Sequence, residues 1–101
     1  MYLSECFPTE QIFRDGEFSA LGLSNSKGPE GMLSFLEDAR FASELLDNPR
    51  IRAVICRPED GAAVAERKQG VVLSDTPRLA FFRLHNRLAE LPGYCPPQLT
   101  S

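Results

Sequence analysis

An α/β fold with some α+β character, a small layered domain on a mixed sheet of about five strands and three helices, is what this sequence predicts. Three observations carry that expectation. Arg52 to Cys56 and Gly70 to Ser74 are short β-branched runs, apolar enough to be strands buried on both faces. Stretches with helical spacing follow each of them, and the order strand, helix, strand, helix over residues 52–91 implies at least one parallel pairing. Finally, 101 residues with 43% apolar and 25% charged side chains make one domain that can bury a core without metals or disulfides.

Each element has a local reason. Ile12-Phe13-Arg14, then Asp15-Gly16, then Glu17 to Leu23 reads as two antiparallel strands about a tight turn, because Asp-Gly tolerates the positive φ of hairpin turns. Ser24 to Gly31 clusters Ser, Asn, Gly and Pro, a loop leading to a strand over Met32 to Leu36. Asp38 is placed to cap a helix to about Leu46, with Ala42, Leu45 and Leu46 inward, until Asp47-Asn48-Pro49 stops it. A second helix is expected over Glu59 to Gln69, ended by Gly70. Thr76-Pro77 opens the last helix with a capping hydroxyl and a proline at the first helical position. Its apolar stripe is Ala80, Phe81, Leu84, Leu88 and Leu91, whereas Arg78, His85 and Arg87 fall largely outside. Pro92-Gly93 ends it, and residues 92–101, with Pro96-Pro97, read as an extended linker.

Composition excludes several classes of function. A net charge of −3 argues against a broad nucleic-acid surface, though a local group of arginines could meet a small anion. No apolar run approaches the roughly 20 residues of a membrane span, and Met1 to Cys6 lacks the basic and apolar blocks of a signal peptide, so a cytoplasmic protein is expected. Cys6, Cys56 and Cys95 are a poor disulfide framework and read as reduced thiols, Cys56 as a small core residue. His85 has no partner at metal-ligand spacing and no nucleophile or carboxylate pattern around it, so it reads as a solvated surface residue. No metal and no cofactor is expected.

The segment Leu33 to Phe41 sets Phe35 and Phe41 on either side of Asp38 where an apolar run gives way to a helical pattern. If Phe35 closes a strand and Phe41 lies near the start of the next helix, two aromatic faces can oppose each other, with Asp38 near the edge of the gap. Such a slot suits a planar nucleobase, since stacking on an aromatic side chain contributes about 1–3 kcal/mol per base. The competing reading makes both rings core residues, with Phe41 and Leu45 packed at i, i+4. Arg40, Arg83 and Arg87 are candidates for a pyrophosphate contact, against the plainer reading of solvated helix arginines.

From about Ile12 to Leu91 the chain resembles the N-terminal domain of bacterial UDP-3-O-(3-hydroxyacyl)glucosamine N-acyltransferase, of lipid A synthesis. Asp15-Gly16 to Leu23 is similar to that family's Gly-Asp turn and strand. Leu33 to Phe41 is similar to its Ser-Phe-Leu-x-Asn-x-x-Tyr segment, and Ser74 to Arg83 to its Asn-Pro-x-Leu-x-Phe-x-Arg helix start. The resemblance implies a domain over residues 1–91 that holds the uridine of a UDP-sugar, with uracil between Phe35 and Phe41 and with Asp38 and Arg40 nearby. Asp38 stands where the family has Asn; an amide both accepts from and donates to uracil, whereas a carboxylate only accepts and suits paired N–H donors such as guanine offers. Catalysis, acyl carrier protein contacts and trimer formation belong in that family to a left-handed β-helix domain, which these residues do not include. No catalytic residue is therefore expected here, and residues 92–101 become the linker toward that absent domain. Two alternatives stay open: an interaction or structural module whose slot has degenerated, and the same domain in a sugar O-acyltransferase or a Mur-ligase-like enzyme.

Overall fold

The computed structural model describes residues 2–7, 10–22, 30–37, 40 and 42–89. Five strands form one mixed sheet in the order β1-β5-β4-β3-β2: β1 (Gln11–Arg14), β2 (Ala20–Leu21), β3 (Met32–Phe35), β4 (Ile51–Cys56) and β5 (Gly70–Leu73). β2 through β5 pair in parallel, and β1 closes one edge antiparallel to β5. Four helices complete the described residues: α1 (Leu3–Cys6), α2 (Ala42–Asp47), α3 (Gly61–Ala65) and α4 (Pro77–Ala89). The α/β class and the mixed five-stranded sheet are as the sequence predicts, with one helix more, the short α1.

Period-two alternation sorts the strand residues between two cores. Leu33, Ala53, Ile55 and Val72 face α1 and α4, where they meet Leu3, Phe81, Leu84 and Leu88. Met32, Val54, Cys56, Val71 and Leu73 face the other way, against Leu45 of α2 and Val64 of α3. β4 and β5 are consequently apolar at nearly every position, because a central parallel strand with helices on both sides has no wet face. α2 and α3 lie on one face because β3, β4 and β5 are laid down in sequential order, and crossovers of one handedness return to one side. α4, after the last strand, and the short α1, before the first, cover the opposite face.

The expected hairpin about Asp15-Gly16 does not form. β1 and the following strand lie at opposite edges of the sheet, and residues 15–19 cross its lower end, past the amino ends of the parallel strands. The Leu3 amide donates to the Gly16 carbonyl at 3.0 Å and the Ser19 amide to the Gly31 carbonyl at 2.8 Å, while Phe18 is fully buried between them. Gly16 is needed here for close approach: a Cβ on it would lie 2.9 Å from the Cα of Gly70. Gly31 is the residue with positive φ among those described, at 82°, just before β3.

Two further expectations change. The helix expected over Glu59 to Gln69 is a 3-10 turn over Pro58–Asp60 followed by the five-residue α3. Its end is set by tertiary bonds: the Arg14 guanidinium donates to the Ala65 carbonyl at 3.0 Å, and the Gln69 amide turns away to the Arg52 carbonyl at 3.0 Å. Lys68, which falls within the expected helix, lies beyond α3 and is buried, and its ammonium donates to the carbonyls of Asn48 and Ile51, both at 2.8 Å. The proposed cap Asp38, the Ser24 to Pro29 loop, Leu91 and the linker over residues 92–101 lie outside the described residues.

Candidate functional site

Residues 15–19 cover the amino ends of the parallel strands, and the carboxyl ends are the opposite end of the sheet, where ligands of α/β folds usually bind. Phe35 is the last residue of β3, opposite Ile55 of β4, and its ring emerges at that edge on the α4 face, half-buried. α4 supports it from one side. The Phe35 and Phe81 ring centroids are 4.8 Å apart at 46°, those of Phe35 and Phe82 are 6.0 Å apart, and Phe81 and Phe82 meet edge to face at 5.3 Å. Tilted and edge-to-face contacts of this kind add about 0.5–1.5 kcal/mol each to what burial contributes, so the orientation of Phe35 is held by two neighbours.

Glu37 ties the same edge together. Its carboxylate accepts from the Arg78 amide at 3.1 Å, a backbone group in the first turn of α4 that has no partner within the helix. The other oxygen lies 3.9 Å from the Arg57 guanidinium, just beyond β4. The cap expected from the Thr76 side chain is thus provided across the fold, while the Thr76 carbonyl takes the helical bond from Ala80 at 3.0 Å. An acid at this end of a helix is favoured by the dipole as well.

The flank of α4 beside Phe35 carries Arg78, Phe82 and His85, spaced i, i+4, i+7. Arg78 holds its guanidinium carbon 5.9 Å above the Phe82 ring, and His85 meets Phe82 edge-on at 6.5 Å. His85 is half-buried, with its Nδ1 enclosed and unpartnered, so the expectation of a solvated surface histidine is corrected in part: the ring packs on Phe82. A helical wheel of the sequence already puts these three on one flank, but nothing in the wheel says that β3 delivers Phe35 beside them. Ser34, fully buried in β3, likewise has an unpartnered hydroxyl.

Of the other candidates, Arg40 is described and exposed, whereas Asp38 and Phe41 lie outside the described residues. Arg83 and Arg87 are on the opposite flank of α4 from Phe82, so the fold separates them from Phe35. Cys56 is fully buried in β4, as the sequence leads one to expect, and burial, aided by Asp60 and Glu59, pushes its thiol up to about 12. Cys6 is half-buried, its thiol raised by burial against the opposing pull of Arg87, and neither it nor Cys56 is in a disulfide. No helix among the described residues is long and apolar enough to cross a membrane. In comparisons with family models and with curated proteins, no match to this chain was found.

Proposed function

We propose that this chain is the substrate-recognition domain of a lipid A type N-acyltransferase, binding the uridine part of a UDP-sugar in the cytoplasm while catalysis belongs to a separate β-helix domain. The observation that carries the reading is Phe35: a ring at the carboxyl end of a parallel strand, backed by Phe81 and Phe82 on one side and partly open on the other. Phe41, Asp38 and Arg40 complete the slot in this reading, Phe41 as the second aromatic face and Asp38 as the edge acceptor. Two stacking contacts, less the cost of association, leave an affinity of roughly 0.1–10 mM for the isolated domain.

Titration with UMP, CMP, GMP and UDP-N-acetylglucosamine, followed by amide chemical shifts, tests it. The expected result is a saturable response around Phe35 and Phe41 that Phe35→Ala abolishes and that Asp38→Asn strengthens for the uridine ligands. No response to any of the four nucleotides at about 10 mM would sink the reading. It would leave the second one, an interaction module with a degenerate slot, which Asp38 in place of an amide favours. A response to GMP in preference to UMP would instead follow the acceptor-only chemistry of Asp38.

A further inference from the structure

On the flank of α4 away from Phe35, a cleft of about 400 Å³ opens between that helix and Cys6, Phe7 and Glu10. That volume is within the range of small-ligand sites. Its floor is apolar: Phe7 and Ala80 are almost fully buried there, and Cys6 is half-buried beside them. Its rim is mostly cationic, with Arg83 and Arg87 one helical turn apart and Asn86 next to them; Glu10 is the carboxylate lining the cleft. Two guanidinium groups at i, i+4 repel each other, a cost the helix bears unless something of opposite charge lies between them. Arg87 is anchored, donating to the Cys6 carbonyl. Arg83 makes no hydrogen bond or ion pair with any described residue, so its planar fork of donors faces the cleft unengaged.

We infer that this cleft binds a small oxyanion carried on an apolar body, the oxyanion bridging Arg83 and Arg87 with Asn86 as a further donor, and the body lying on Phe7, Ala80 and Cys6. A carboxylate and a phosphate monoester share this chemistry, and both match the guanidinium fork. The site is independent of the nucleotide slot, being built on the other flank of α4, and neither needs the other.

Phenyl phosphate, benzoate and inorganic phosphate are the probes, titrated into the folded 101-residue chain while backbone and arginine Nε resonances are followed. Phenyl phosphate or benzoate should saturate at up to about 10 mM, moving Phe7, Arg83, Asn86 and Arg87 and leaving Phe35 unmoved. Inorganic phosphate, lacking the apolar body, should bind at least severalfold more weakly; whichever of the other two binds tighter identifies the head group. Arg83→Gln, an exposed position with no partner among the described residues, should keep the melting temperature and lose about tenfold in affinity, the value of one charge-assisted hydrogen bond. Glu10→Gln should gain severalfold. Non-saturating shifts with all three probes, or an unchanged affinity in Arg83→Gln, would overturn the site.

Discussion

Cys56 and Lys68 show how burial sets chemistry at the scale of one side chain. The folded chain keeps the Cys56 proton up to about 12, whereas the unfolded chain releases it near the ordinary 9.0. Between those values the folded state binds more protons, so stability is complete below the unfolded value and falls as pH rises, by about 1.4 kcal/mol per unit. Urea midpoints measured at about pH 8 and about pH 10 should drop steeply for the native chain and less for Cys56→Ala, which removes this contribution. Lys68 works in the opposite sense. Burial, then the neighbouring Arg67, lowers its pKa, so this group adds stability as pH rises from the lowered value toward 10.5. Lys68→Met, which leaves the Asn48 and Ile51 carbonyls without the ammonium, should lower stability by about 2 kcal/mol in urea unfolding.

Among the elements, the segment after β1 tests the topology most sharply. In a hairpin, Gly16→Ala would cost only the strain of a turn residue; in the crossing segment its Cβ meets the backbone of Gly70, which cannot yield as a side-chain end would. Gly16→Ala should therefore destabilise by about 1–3 kcal/mol, the cost of overpacking, and Asp15→Asn should not offset it. α4 is the other informative element. Phe81 is fully buried and joins Phe35 and Phe82, so Phe81→Ala should cost about 3–5 kcal/mol and loosen the Phe35 ring. Glu37→Ala removes the bond across to the Arg78 amide, a loss of about 1 kcal/mol seen as faster hydrogen exchange at Arg78 and its neighbours.

For the whole molecule, the sheet order predicts where stability is concentrated. β4 has strands on both sides and helices on both faces, while β2 is a two-residue edge and β1 leaves Phe13 about half exposed at the other. Amides of β4 and β5 should exchange at the rate of global unfolding and those of β1 and β2 faster, since edges open without breaking the core. The same order explains the placement of function. One end of the sheet is covered by residues 15–19, which leaves Phe35, Glu37 and Arg57 at the other, and α4 divides the surface into an aromatic flank and an arginine-lined one.

Hydrophobic patterning alone determined the class of this protein: the apolar runs at residues 32–36, 52–56 and 70–74 are strands because they are too short for a buried helix, the last two being β-branched as well, and the stripe from Ala80 to Leu88 is a helix because only the 3.6-residue period aligns it. Phe35 at the end of its strand and the buried Cys56 were legible for the same reason. Pairing was not. Asp15-Gly16 is compatible with a turn, but whether two strands are partners or opposite edges depends on contacts with Gly70, Leu3 and Gly31 from distant parts of the chain. The burial of Lys68, the cap from Glu37 and the delivery of Phe35 beside Phe82 are likewise long-range, invisible to any local period. Local sequence sets which face of each element is apolar, and only tertiary structure decides which face it meets.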